Sequence, residues 1–252
     1  MKPYRRSRLG EVGEGSSALA AARPFAHKTA MSLTLAADGA QHIPAALDQP
    51  ALAIIEAALA DLPPDHPGLR LASLPALADI LAPTGAIGHH AAAYQGDAAR
   101  PVRAILFDKS AATNWSLGWH QDRTIAVRAR IDTPGVGPWT VKSGIQHVAP
   151  PQAMLDRMLT LRVHLDAVDA DNAPLMIAPG SHRHGRVPES EVTTLVARCG
   201  TYACLAERGD IWLYATPILH ASDAASHPRH RRVLQLDYSA DALPGDLEWL
   251  GV

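Results

Sequence analysis

The sequence predicts a mainly β domain with flanking helices, an α+β arrangement in which helices buttress a β-sandwich or barrel. Three observations predict it. After residue 100, short segments rich in β-branched and aromatic residues recur, separated by Pro and Gly turns. Clear helical periodicity is confined to the first third of the chain. The strand–helix alternation of a parallel α/β protein is absent, as are a P-loop, a G-x-G-x-x-G and a G-x-S-x-G.

Residues 1 to about 30 are rich in Arg, Gly, Ser and Ala and lack hydrophobic periodicity, which reads as a disordered N-terminal extension. Glu11 and Glu14 argue against a transit peptide. The ordered domain is expected to span 31–252. Its first helix starts at Asp48, an N-cap, with Pro50 in the first turn. Leu52, Ile55, Leu59 and Leu62 repeat at helical spacing, and Pro63-Pro64 ends the run. Leu74 to Leu81 predicts a second short helix, and 85–94 fits neither period. The strand candidates are Val102–Phe107, Thr124–Ile131, Leu159–Val168, Pro174–Ala178, Thr201–Ala206, Ile211–Tyr214 and Arg231–Tyr238, with a polar turn over 108–114.

A net charge of -2 argues against an electrostatic nucleic-acid binder, and the Arg clusters at 5–8 and 229–232 are too short to reverse that. The longest apolar run, Ala51 to Ala60, is interrupted by Glu56 and falls short of a membrane span. Cys199 and Cys204, read on one strand, would face opposite ways and could not bridge. They read as buried thiols of a reducing compartment, and the chain as cytoplasmic.

The stretch with chemical content is Trp115-Ser116-Leu117-Gly118-Trp119-His120-Gln121-Asp122. On a strand, side chains two apart share a face, so His120 and Asp122 would converge while Gln121 turns away. An imidazole and a carboxylate are two-thirds of the facial triad that holds non-heme Fe(II) with positions left open. His164-Leu165-Asp166 matches the same pattern. A third ligand is needed, and His220, at the end of an apolar segment, is the candidate; a hydrogen-bonded structural histidine is the alternative. Arg231 opens a strand, where a buried guanidinium needs an anion, ideally a carboxylate gripped by both arms. A solvated basic hairpin is the alternative, and it is the reading adopted for Arg229 and Arg232.

Trp119-His120-Gln121-Asp122, then Asn172-Ala173-Pro174-Leu175-Met176-Ile177-Ala178-Pro179-Gly180-Ser181-His182, then His220-x-Ser222 and Arg231 eleven residues on, resemble the phytanoyl-CoA dioxygenase family over roughly 35–250. The resemblance implies a double-stranded β-helix core, jelly-roll or cupin-like. It implies an Fe(II)- and 2-oxoglutarate-dependent dioxygenase that uses O2, releases succinate and CO2, and hydroxylates a small-molecule substrate. His120, Asp122 and His220 would be the catalytic metal ligands. Arg231 would hold the distal carboxylate of 2-oxoglutarate with help from Ser222, with Arg232 as fallback if the register slips by one. Lys109, after its strand, could assist the carboxylates or be a solvated turn lysine.

By alternation Arg162, His164 and Asp166 would share a face, lining the pocket or pairing with one another. Pro179-Gly180-Ser181-His182 reads as a structural turn. Trp115, Trp119 and Trp139 would pack near the site or wall the substrate. Residues 84–100 and 132–150 are the expected substrate-facing segments and carry no diagnostic charge pattern. The family's usual Asn-Gly is Asn172-Ala173 here, which puts that turn's shape in question. Asp122 is retained, which argues against the halogenase variant of this chemistry. The competing reading is a cupin-like metal protein, either a non-oxidative metalloenzyme or a ligand sensor, in which Arg231 and Ser222 would have no anionic co-substrate to bind.

Overall fold

Thirteen strands run through the residues that the computed structural model describes, 32–63 and 67–252. The segment expected to be disordered lies outside them. In chain order the strands are β1 (Ala40–Ile43), β2 (Leu69–Leu71), β3 (Arg100–Lys109), β4 (Leu117–His120), β5 (Ile125–Val127), β6 (Trp139–Lys142) and β7 (Ile145–Val148). There follow β8 (Leu159–His164), β9 (Leu175–Ile177), β10 (Tyr202–Cys204), β11 (Ile211–Ala215), β12 (His220–Ser222) and β13 (Arg231–Ser239). Antiparallel pairing joins them into three sheets, β1-β11-β8-β13-β3-β2, β10-β9-β12-β4 and β5-β7-β6. Trp212 and Tyr214 of the first sheet share a buried cluster with Leu175, Ile177 and Cys204 of the second. The two sheets therefore form a jelly-roll sandwich and not a closed barrel.

The six-stranded sheet has two chemically distinct faces. Cross-strand partners lie on one face, and the register pairs Arg231 with Lys109, Gln235 with Ile105 and Asp237 with Arg103. On the other side Gln235 pairs with Arg162 and Asp237 with Thr160. These side chains look into the sandwich. The alternate residues, Ala104, Leu106, Leu161, Val163, Leu234 and Leu236, join the largest apolar core on the outer face. Helices cover that face. Helix α1 (Gln49–Leu59) starts where Asp48 accepts from Ala51 N at 2.9 Å, and it buries Leu52, Ile55 and Leu59. Residues 75–81 form one 3-10 and one α turn. The ambiguous stretch resolves into α2 (Gly88–Gln95), whose Ala91 enters the same core.

Some expectations need correction. Helix α3 (Glu189–Cys199) occupies a stretch read as strand-rich; Val192, Leu195 and Val196 form its buried stripe. Cys199 therefore ends a helix, and only Cys204 lies on a strand, although both thiols are free as expected. The strand read over 124–131 is only Ile125–Val127, because Arg128 N turns to Glu248 O. Strands β1, β2, β6, β7 and β12 are additions to the expected set. No helix among the described residues is long and apolar enough to cross a membrane.

Candidate metal and co-substrate site

Strands β4 and β12 are neighbours, with His120 and His220 directly opposite one another. Direct pairing brings the imidazoles together, ring centroids 4.3 Å apart. Each ring turns Nδ1 to a carbonyl two residues back, His120 to Gly118 O at 2.8 Å and His220 to Ile218 O at 2.9 Å. A carbonyl only accepts, so Nδ1 carries a proton on both rings and Nε2 is the nitrogen turned toward the site as donor to a metal. Asp122 completes the group, and one donor atom from each of the three lies within 4.8 Å of the others. Two imidazole nitrogens and one carboxylate fit a ferrous ion with open positions.

Strand alternation is only part of the reason. Strand β4 ends at His120, and Asp122 lies in the coil beyond it. Gln121 fixes that coil: its amide nitrogen donates to Gly185 O and Pro217 O, both at 2.8 Å, and its oxygen accepts from Val187 N at 2.9 Å. The Pro179–His182 turn has the expected structural role. Gly180 takes a φ of 81° that suits glycine. Ser181 Oγ accepts from Leu219 N at 2.8 Å, next to His220.

Arg103, from the facing sheet, holds the carboxylate. Its Nη2 donates to Asp122 at 2.8 Å and its Nε to Asp237 at 2.5 Å, while Thr160 donates to Asp237 at 3.0 Å. Burial pushes the Asp122 carboxyl up, but Arg103 and then the two imidazoles outweigh it and hold it below the usual carboxylate range. His220 is lowered to about 4, by burial first and then by His120, so its imidazole is neutral at physiological pH.

Arg231 is 2% exposed and lines the same cavity as the three donors. Its Nη1 donates to Ala173 O, and its buried Nε has no partner among the described residues. Burial, then Arg162, lowers it to about 9, as befits a guanidinium lacking an anion. Ser222 lines the cavity too. Lys109 is a correction: it ends β3, 1% exposed, and is no turn residue. Its ammonium donates to Asp223 O at 2.8 Å, stands 3.4 Å from Ser222 Oγ and sits over the Trp115 ring. Burial first, then Arg231 and Arg162, brings Lys109 down to about 8.

Arg232 does not replace Arg231. It is on the helix-facing side, paired with Asp166 at 2.9 Å and with Glu56 of α1 at 2.9 Å. The predicted Arg162–His164–Asp166 face divides accordingly. Arg162 lines the cavity, donating to Gln235 at 2.9 Å, whereas Asp166 lies past the end of β8 and turns to Arg232. His164 is buried with both ring nitrogens unpartnered among the described residues, and burial keeps it neutral.

The cavity measures about 360 Å³ and has an apolar wall at Ile105, Phe107, Trp115 and Leu175. Of the three tryptophans only Trp115 lines it; Trp119 packs toward α3, and Trp139 into the core under β5 and β7. The expected substrate-facing segment 84–100 instead packs on the outer face through Ile87, Ala91 and Ala99. Segment 132–150 does contribute, through Lys142. Sequence reasoning missed Arg70, Arg103, Arg123 and Lys142, all of which line the cavity. The signal available for Arg103 was its place inside an apolar strand, where a charge must have a partner.

A model of the family described as Phytanoyl-CoA dioxygenase (PhyH) matches residues 76–233. No curated protein matches the chain. Among solved structures, EctD from S. alaskensis with bound Fe is 20% identical with a TM-score of 0.59, covering 86% of this chain and 78% of that one. HygX from Streptomyces hygroscopicus with nickel and 2-oxoglutarate bound is 14% identical at 0.55, covering 81% and 84%. AviO1 from Streptomyces viridochromogenes Tue57 is 18% identical at 0.56, covering 84% and 94%. Likeness at these identities speaks to fold alone, but the family match extends over more than half of the sequence and contains all three donor residues. The chain belongs to the phytanoyl-CoA dioxygenase family and is an Fe(II)- and 2-oxoglutarate-dependent oxygenase.

Proposed function

We propose that the enzyme hydroxylates a small-molecule substrate, coupled to conversion of 2-oxoglutarate and O2 to succinate and CO2. In this reading His120, Asp122 and His220 are the catalytic metal ligands. The observation that carries it is their convergence in one cavity with a buried guanidinium, Arg231, that lacks an anion. A ferrous ion held by these three side chains would supply O2 activation, with O2 as the oxidant.

The chain's own residues do the rest. The carbonyls of Gly118 and Ile218 orient the two imidazoles with Nε2 unprotonated. Arg103 keeps Asp122 ionised and pointed. Arg231 grips the distal carboxylate of 2-oxoglutarate, Ser222 adds a hydroxyl, and Lys109 adds positive charge behind Ser222. The apolar wall keeps water from the reacting centre.

The test is binding before turnover. Anaerobic protein with Fe(II) and 2-oxoglutarate should show the weak visible charge-transfer band of the chelate, and His120→Ala should abolish it. Arg231→Gln should raise the 2-oxoglutarate Kd at least tenfold with metal affinity largely kept, whereas Arg232→Gln should leave it within about twofold, since truncating a buried charged contact costs roughly 2–5 kcal/mol. Metal binding without any 2-oxoglutarate chelate would refute the assignment and favour the cupin-like reading. Succinate release in a substrate screen then establishes the reaction type.

A further inference from the structure

The cavity holds more positive charge than iron and 2-oxoglutarate can use. Arg70 of β2, Arg123 next to Asp122, and Lys142 of β6 all line it, and they come from three separate parts of the chain. None of the three forms an ion pair among the described residues. Their recorded partners are neutral: Ser143 Oγ at 3.4 Å for Arg70, Val187 O for Arg123, and Thr124 Oγ1 at 3.1 Å for Lys142. The carboxylate whose charge reaches Arg70 and Lys142 is Asp122, which Arg103 already holds and the metal would use.

A solvated basic patch does not account for them. Arg70 Nε is buried and unpartnered among the described residues, so this head group is not simply in water. Burial lowers both Arg70 and Lys142, and Arg103 lowers them further, so the cluster is crowded with like charge. Loading the site leaves this unchanged. A ferrous ion and a 2-oxoglutarate dianion cancel in charge, and Arg103 already holds Asp122 and Asp237. Arg162, paired with neutral Gln235, adds a further cation, so no carboxylate of the lining is left for the three.

We propose that Arg70, Arg123 and Lys142 form a docking site for an anionic group of the substrate, and that the substrate is a small molecule bearing a carboxylate or a phosphate. Two guanidinium forks and one ammonium suit either group, the forks through paired hydrogen bonds and the lysine as a point charge. Ile105, Phe107, Trp115 and Leu175 leave room for an apolar body beside it. The inference rests on the oxygenase reading only in taking this cavity as the substrate's.

The probes are ethyl phosphate, butyrate, butyramide and butylamine. They are titrated at low salt into protein saturated with Zn(II), a redox-inert stand-in for iron, and 2-oxoglutarate, and followed by calorimetry and Trp fluorescence. Ethyl phosphate and butyrate should bind saturably and weaken as salt rises, and whichever binds tighter identifies the natural group. The Arg70→Gln/Lys142→Gln variant should weaken both at least tenfold, while Arg70→Lys, which keeps the charge but loses the fork, should weaken them less than the double variant does. The 2-oxoglutarate Kd should be the same in all these proteins. Binding of the amide or amine as tight as the acid, no saturable anion binding, or anion binding unaltered in the double variant would overturn the proposal. Failure of Zn(II) and 2-oxoglutarate to bind at all would instead count against the oxygenase assignment, and the same titration on metal-free protein still decides the anion site.

Discussion

Replacing Arg103 with Met tests the clamp that reaches from one sheet to the metal ligand on the other. The guanidinium is 7% exposed and serves two carboxylates, Asp237 at 2.5 Å and Asp122 at 2.8 Å. Two unit charges about 4 Å apart interact by about 4 kcal/mol at an effective dielectric of about 20. Desolvation takes back much of that for the intact triad, but removing one member strands the others, and the loss for a broken buried pair is about 3–5 kcal/mol. For a domain of this size that lowers Tm by roughly 10 °C. Metal affinity should fall about 10–100-fold, the usual effect of losing a group that orients a ligand.

The pH dependence gives a sharper signature. Burial raises the Asp237 carboxyl even with Arg103 in place, and Asp122 adds to the rise; without Arg103 it must go higher. A carboxyl whose folded pKa exceeds its unfolded value binds more protons in the folded state, so stability is lost as pH rises through the folded pKa. Urea unfolding at pH 5 and pH 8 should therefore find Arg103→Met more impaired at pH 8. Arg103→Met/Asp237→Leu, which removes the stranded charge, should recover most of the loss. A single variant within about 1 kcal/mol of the parent, or a double variant no better than the single, would show that Arg103 is screened by water and does not hold Asp122.

Two further outcomes follow from the other end of the cavity. Ala173 has a φ of 53° and is buried, and its carbonyl receives Arg231. Glycine there removes a left-handed penalty of about 1–2 kcal/mol and gives back about 0.4–1 kcal/mol through a freer unfolded chain. Ala173→Gly should therefore be neutral to about 1 kcal/mol more stable in urea, while Ala173→Val should be less stable and bind 2-oxoglutarate more weakly. Lys109 sits at about 8, below its usual 10.5, because burial and two arginines disfavour its charge. Its folded form gives up the proton first, so the burial penalty is present in full below about 8 and relieved between 8 and 10.5: ligand-free stability should rise across that window. The 2-oxoglutarate affinity should fall over the same window, and Lys109→Met should flatten both trends in paired melts and titrations.

How far the sequence reveals the site depends on what each residue must do. His120 is legible through its H-x-D spacing to Asp122, and His220 through the family resemblance; the pairing of β4 with β12 that brings the two together leaves no local mark. Helix α1 is legible because cap, proline and apolar stripe agree. Helix α3 escaped because its stripe, Val192-Leu195-Val196, is short and lies among β-branched Thr193 and Thr194 in a strand-rich region. Arg103 escaped for a different reason. Strand β3 is covered on both faces, so Val102, Ala104, Ile105 and Leu106 are all buried and no polar–apolar alternation marks the inward charge. Arg70 comes from a short strand whose partner, β3, is set by long-range pairing, and Lys142 ends the first strand of the local β6–β7 hairpin, which reaches the cavity from a distant part of the chain. Nothing local in their sequence announces a shared cavity.

Adjacent arginines on β13 show how strictly register allots function. Arg231 and Arg232 are the same residue type, one position apart, and a strand sends them to opposite faces. Pairing with Lys109 on one side of the strand, and of Gln235 with Arg162 on the other, commits the odd-numbered positions to the cavity. Arg232 then meets Glu56 and Asp166, which satisfy it, while Arg231 meets only a carbonyl and other cations. A one-residue slip would turn Leu234 and Leu236 toward the charged cavity and drive Asp237 into the apolar core, so both faces resist it together. The helix-covered core thus enforces the placement of a guanidinium that, without a bound anion, is itself a cost to the fold.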